Sequence, residues 1–439
     1  MRSLLNKHHP FEIGLTDMES VSATKPADTN FKLRFHPRVL GTAAPVFPGF
    51  EIDICDRVTD EQKPDAVWHR DRAKKMLAAH PEMKELFGPT LSTGYWCVLV
   101  SSLQVVMAWL VCSQPLWVTF VAAYVIGSWI NINLFLLAHE CNHHLVFKSG
   151  KWNRWLYTFT TLPMFLSGHH TWWVEHHVHH NDMGATKDFI KRRRSFFLAT
   201  KIKDSMPYTR GPLYDFCSWA LTPLFFPYSG IMLITQVLRS AVGLVVYFAS
   251  LPFRRRLDPS DKTLAILADE HLVSGYQRYG IRMWGVIYPI LSLGLVAALF
   301  FFGGWKAVLY LFLSQLFMTG FLHPLLFGMI LSNSHFHGHK EYQPSTSYYG
   351  WLNKISFNFG LHTEHHDISG IAWSRLPQMR KMAPEFYDDL LKTNSYTKLA
   401  LQFVFCPRDQ FELRFDNEIH RNTEIFTEET GQTPAPVST

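Results

Sequence analysis

The amino-acid sequence predicts an all-α integral membrane protein, with four transmembrane helices capped by a cytosolic helical domain. Three observations carry that expectation. Apolar runs near 95–112, 116–137, 285–302 and 307–331 each reach the length, about 18 residues or more, that a helix needs to cross a bilayer core. Three histidine clusters lie at or beyond the ends of such runs: HECNHH (139–144), HHVHH (176–180) and HTEHHD (362–367). Within each cluster the histidines recur three or four positions apart, which places them on one face of a helix. His139 with His143, His176 with His179 and His180, and His362 with His365 and His366 therefore present eight imidazoles. That is nitrogen enough for two metal ions with positions left open, so the cap is expected to carry a histidine-ligated di-metal site.

Composition agrees. Of 439 residues, 47% are apolar and 15% aromatic, and the apolar ones are gathered into runs. The net charge of +6 is concentrated in Lys187, Lys191, Arg192, Arg193, Arg194, Lys201 and Lys203, opposed there by Asp188 and Asp204. A basic stretch beside membrane segments, without nucleic-acid motifs, reads as a cytoplasmic membrane surface; nucleic acid is not an expected partner. Cys55, Cys97, Cys112, Cys141, Cys217 and Cys406 form no CxxC pair and read as packed thiols. The opening MRSLLNKHHP lacks the apolar core of a signal peptide, so the first transmembrane helix would direct insertion.

Residues 1–63 alternate polar stretches with Pro and Gly and read as a largely disordered cytosolic extension. The membrane domain is expected over 64–406, followed by a polar tail over 407–439. Residues 64–87 read as short amphipathic helices broken at Pro81, lying on the membrane surface or covering the domain below it. Ser113, Gln114 and Pro115 turn the chain between the first two spans, so HECNHH emerges on the side where the chain entered. Residues 152–166 are aromatic but short, interrupted by Arg154 and Pro163, and read as an interfacial segment. Parity decides the run 230–252: if it spanned, the third cluster would face away from the first two. Gln236 and Arg239 interrupt it and arginines flank it, so it too is expected to be interfacial.

Of 23 histidines, 16 fall at 139–180, 323–339 or 362–366. Ionisable side chains at a membrane boundary need partners, and a metal supplies them. Neutral imidazole binds Zn, Cu, Fe and Ni, so ligand type alone does not choose the metal. A histidine centre beneath apolar helices is placed to meet lipid tails. Breaking an unactivated C–H bond requires an oxidising cofactor, and iron with dioxygen is the usual agent. His144 and His177 lie one step off their shared faces and either complete a coordination sphere or hydrogen-bond nearby. His335, His337 and His339 form a looser fourth group, of which one, with Asn333, would close the coordination. Glu140 and Asp367 are candidates for carboxylates that orient an imidazole.

At these residues the chain resembles the membrane fatty-acyl desaturases with three histidine boxes. SYYGWLNKISFNFGLHTEHHDISGIAWSRLPQMRKMAPEFYDDL (347–390), VAAYVIGSWININLFLLAHE (121–140) and RAKKMLAAHPEMKELFGP (72–89) are similar to the sphingolipid Δ4-desaturase (dihydroceramide desaturase) branch. The resemblance covers roughly 65–400. It implies a four-span, di-iron enzyme of the endoplasmic reticulum that dehydrogenates dihydroceramide with O2. It also implies that the eight box histidines are ligands, with His335 as a ninth and His337 or His339 as alternatives. Electrons would come from NADH through cytochrome b5 and its reductase; with no HPGG motif in the chain, that donor is expected to be a separate protein. The first box reads HECNHH where the branch has HExxHN, and the N-terminal extension and the 230–283 insertion are not branch features. A sphingolipid C4-hydroxylase or an acyl-lipid desaturase on the same scaffold are the alternatives. More remote are a zinc metalloprotease, from the HExxH match at 139–143, and a metal transporter.

Overall fold

In the computed structural model, the described residues are 64–165, 284–319, 322–332, 343–390 and 392–405, with positions 172, 173, 176, 177, 179, 180 and 183 and nine helical positions between 234 and 249. Among them the regular elements are helices, joined by isolated β-bridges only. In chain order they are α1 (Pro64–Ala79), α2 (Ser92–Leu110), α3 (Leu116–Asn142, containing a π-helical turn at Ala123–Gly127), α4 (Gly150–Thr161), α5 (Trp284–Thr319), α6 (Pro324–Ser332), α7 (His362–Asp367), α8 (Leu376–Met382) and α9 (Tyr396–Phe405).

Three of these helices, Ser92–Leu110, Leu116–Asn142 and Val286–Thr319, are long and apolar enough to cross a membrane. Their faces are sorted as a bilayer requires. On α2, Tyr95, Leu99, Leu103, Val106 and Leu110 point outward, whereas the small or polar Cys97, Ser101, Gln104 and Ala108 are buried. Large apolar groups outside and small or polar ones inside suit lipid as solvent, because close helix contact there comes from small residues and interhelical hydrogen bonds.

Helix α5 is two arms rather than one. Gly304 adopts φ 72°, ψ −177°, a region open essentially to glycine alone. The tip of that hairpin meets the tip of the α2–α3 hairpin, where Lys306 Nζ donates to the Gln114 carbonyl at 2.7 Å. The 307–331 run is also divided. Helix α5 ends at Thr319 and α6 begins at Pro324, because proline offers no N–H and disfavours helix in the residue before it. His323 fills the gap; its Nδ1 accepts from the Leu326 N–H at 3.4 Å and its ring stacks on Tyr124. Of the described residues of the 230–252 run, Leu244 packs on Val286 of α5.

Inside the bundle a chain of amides crosses α2, α3 and the second arm of α5. Gln104 donates to Asn131 at 2.8 Å, Asn131 donates to Gln315 at 3.1 Å, and Tyr310 donates to Gln104 at 3.1 Å. Burying these groups in an apolar bundle is tolerable because each satisfies another. At the far end of α3, helices α1, α7 and α8 share a core of Met76, Met83, Leu361, Ile368, Met379 and Tyr387. This layer joins residues near the start of the described chain to those near its end.

Asn131→Ala takes the donor from the Gln315 amide oxygen and the closer of two acceptors from the Gln104 amide. It is expected to lower stability in detergent by about 1–2 kcal/mol, read as a lower thermal midpoint with metal content unchanged below the transition. An unchanged midpoint would show that the amides do not hold the bundle together.

Candidate metal centre

Helix α3 delivers the first pair of imidazoles and then stops abruptly. His144 takes φ 58°, its N–H bonds the Cys141 carbonyl at 3.1 Å, and the Leu145 N–H bonds the Glu140 carbonyl at 3.0 Å. These are the two bonds of a Schellman terminus, with histidine in the left-handed position usually held by glycine. The termination swings His144 away from His139 and His143. Its ring faces Trp173 at 5.8 Å and His177 at 6.3 Å.

The second cluster is helical at its described positions, and the 3.6-residue repeat divides it. His176 and His180 face the first pair, with ring centroids 4.5 Å apart for His139–His176 and for His143–His180. Trp172 stacks on His176 at 4.4 Å. His177 falls on the other side, beside Trp173. From α7, His365 enters the same space, 4.2 Å from His139 and 4.6 Å from His143.

The donor atoms of His139, His143, His176, His180 and His365 all lie within 4.8 Å of one another. Two nitrogens on opposite sides of one ion, each bonded at about 2.1 Å, are about 4.2 Å apart. At up to 4.8 Å the five stand slightly wider than that, close enough that they could hold a metal ion between them. Beside them His366 stacks on His180 at 4.3 Å and meets His362 at 4.3 Å and His179 at 5.2 Å. The eight box histidines thus form one contiguous group, with His179, His362 and His366 as its second lobe. Asn333, His335, His337 and His339 lie outside the described residues.

Glu140 and Asp367 do different work. Glu140 Oε2 accepts the Trp373 N–H at 3.1 Å, while its other oxygen is 3.9 Å from His139 Nδ1, too far for a hydrogen bond. It ties the first box to the loop after the third. Asp367 is held by His69 Nδ1 at 2.7 Å and by Arg72 at 3.1 Å.

Glu364, between the third-box histidines, accepts from Ser347 at 2.6 Å and Tyr349 at 2.9 Å, with Arg380 at 3.6 Å. Sequence reasoning missed His69, Arg72, Ser347, Tyr349 and Arg380. The one local signal was that Thr363, Glu364 and Asp367 share the face of α7 opposite the histidines.

Burial first, and then the neighbouring imidazoles, hold His143, His176, His180 and His365 well below the usual histidine range. Burial, with His144 and Arg154 nearby, lowers His177 from the usual 6.5 to about 3. These groups are neutral at pH 7, the state in which imidazole binds a metal. A folded state that refuses protons is fully stabilised above the unfolded pKa and loses stability as pH falls below it, for His177 from 6.5 towards about 3. Metal-free protein is therefore expected to weaken on acidification from just below pH 6.5, by up to about 1.4 kcal/mol per pH unit for each such histidine. Denaturant titrations in detergent at stepped pH test this; a constant midpoint from pH 8 to pH 5 would mean the cluster is not held neutral.

Comparison with known proteins bears on this arrangement. The fatty acid desaturase family model matches residues 115–397, and the sphingolipid Delta4-desaturase model matches residues 59–92. A rice sphingolipid delta(4)-desaturase DES1-like protein is 29% identical over 340 residues, covering 76% of this chain and 86% of the relative. The Schizosaccharomyces pombe sphingolipid delta(4)-desaturase is 29% identical over 352 residues, covering 76% and 82%. The human sphingolipid delta(4)-desaturase/C4-monooxygenase DES2 is 30% identical over 345 residues, covering 77% and 88%. No solved structure matches. A family match across most of the chain, enclosing the histidine cluster, identifies an oxidoreductase: the chain belongs to the fatty acid desaturase family, in its sphingolipid Δ4-desaturase branch.

Proposed function

We propose that the protein removes two hydrogens from dihydroceramide, leaving a trans double bond between C4 and C5 of the sphingoid base. The observation that carries this reading is the imidazole cluster at the end of an apolar helix of span length, in a chain whose relatives are named sphingolipid delta(4)-desaturases. Depth supports it. C4 of the base adjoins the carbon that bears the C3 hydroxyl, so the reacting bond lies just below the polar headgroup. His139 is 23 residues along α3 from Leu116, roughly 35 Å at the rise of a helix, a length that favours a cluster at one boundary of the bilayer over one at its middle.

The electrons balance with dioxygen as co-substrate. Two come from the lipid and two from NADH, delivered through a separate cytochrome b5 and its reductase, and both oxygen atoms leave as water. Two iron ions are the metals of this reading. His139, His143, His176, His180 and His365 would hold one and His179, His362 and His366 the other, with His335 or a neighbour among Asn333, His337 and His339 completing the second. Iron so held would supply the one-electron oxidation with dioxygen that no side chain can perform. The protein's own part is to keep the imidazoles neutral and aimed, exclude water with Trp172 and the surrounding core, and bring one C–C pair of the lipid to the cluster.

In the same reading the chain lies in the endoplasmic reticulum membrane with the cluster and both termini on the cytosolic side. Four spans (α2, α3 and the two arms of α5, the second continued by α6) return all three boxes to that side. Hydroxylation at C4 is a second reading, favoured by the human relative named as both desaturase and C4-monooxygenase.

Membranes carrying the protein, supplied with dihydroceramide, NADH and air, are expected to yield a product lighter by two hydrogens. His365→Ala membranes should yield none. Lipid mass spectrometry decides between readings: a product heavier by one oxygen moves the assignment to the hydroxylase, and unsaturation confined to fatty-acyl lipids moves it to another substrate class.

A further inference from the structure

Helix α7 has only six residues, too few to hold its own shape or direction. Its histidines face the cluster and its other three side chains are all gripped from outside. Thr363 meets Ser345 at 3.1 Å, Glu364 meets Ser347 and Tyr349, and Asp367 meets α1. The α1 contact is the most enclosed. Both side chains of the His69–Asp367 pair are buried, at 3% and 0% exposure.

Both nitrogens of His69 are committed, Nδ1 to Asp367 at 2.7 Å and Nε2 to the Ser345 hydroxyl at 3.2 Å. It therefore has no nitrogen to offer an ion, although its ring lies 5.3 Å from that of His366. Arg72 grips the Asp367 carboxylate at 3.1 Å, and is itself fixed by the Phe386 carbonyl at 2.6 Å and by the Trp68 ring 4.4 Å beneath it.

We propose that α1 is a working part of the metal centre: His69 and Arg72 are positioning residues that set Asp367, and through it the direction of His362 and His366. Partners behind a ligand that fix its orientation typically govern metal affinity by about 10- to 100-fold. On this view the stretch 59–92, matched by the sphingolipid Delta4-desaturase model, contributes to the centre without supplying a ligand. The inference rests on the metal reading proposed above, but not on the substrate.

The test uses the full chain, purified in detergent and loaded with ferrous iron, then dialysed against graded chelator. Iron per chain is measured by elemental mass spectrometry. His69→Ala and Arg72→Gln are expected to release part of their iron at about 10- to 100-fold lower chelator than wild type, while their thermal midpoints stay above the assay temperature. Should His69→Ala not fold, His69→Asn and His69→Gln decide. The Asn amide sits where Nδ1 was and keeps the Asp367 contact; the Gln amide reaches the Nε2 position and keeps only Ser345.

Asn holding iron better than Gln supports the clamp; equal retention, or the reverse order, overturns it, because simple filling of space favours the larger Gln. Wild-type retention in every variant also overturns it. Wild type that takes up no iron removes the metal reading itself, a different result from iron-loaded wild type with indifferent variants.

Discussion

The imidazoles of His143, His176, His180 and His365 can share one small buried volume only while they stay uncharged. Protonating any of them would place a cation in a desolvated site beside others, and burial together with mutual repulsion prevents it. His143, His176, His180 and His365 are all held well below the usual histidine range for that reason. The cluster is costly to assemble without a metal and rewarded when a metal binds, since neutral imidazole is the ligating form. Much of the surrounding architecture serves to keep those rings aimed inward.

The aiming is done from behind. Helix α7 points three histidines forward and hands Thr363, Glu364 and Asp367 to partners at its back. Glu140 links the first box to the Trp373 backbone, and Trp373 Nε1 reaches Thr93 at 3.0 Å, so the loop after the third box is fastened to both α2 and α3. This employment of Glu140 bears on the HExxH resemblance. A metalloprotease glutamate must face a metal-bound water, whereas here the carboxylate is buried and holds a backbone N–H, and the match covers only the first of three converging boxes. Away from the cluster, the amide chain through Gln104, Asn131 and Gln315 performs the same locking inside the bundle.

Some of this was legible before any coordinates. Three or four positions between histidines is a local property of a helix, so the histidine faces of all three boxes could be read directly. The parity argument, that the boxes must return to one side, agrees with their convergence on one group. Residues just off the faces were ambiguous for an equally local reason. His144 could have continued the helix or ended it, and its left-handed backbone, which takes its ring to Trp173 and His177, depends on the Schellman bonds that close α3. The division of the 307–331 run at His323 was signalled by Pro324, but an apolar run reads through a single proline.

By itself, the sequence determined the helical class, the apolar stretches and the eight inward-facing imidazoles, because each follows from a repeat or a run length within one segment. Only the tertiary structure decided how those imidazoles divide into a group of five and an adjoining group of three, and which residues stand behind them. The His69–Asp367 contact joins positions 298 residues apart. Two side chains brought together by folding across that distance share no periodicity and no spacing, so nothing in either neighbourhood marks the other as its partner.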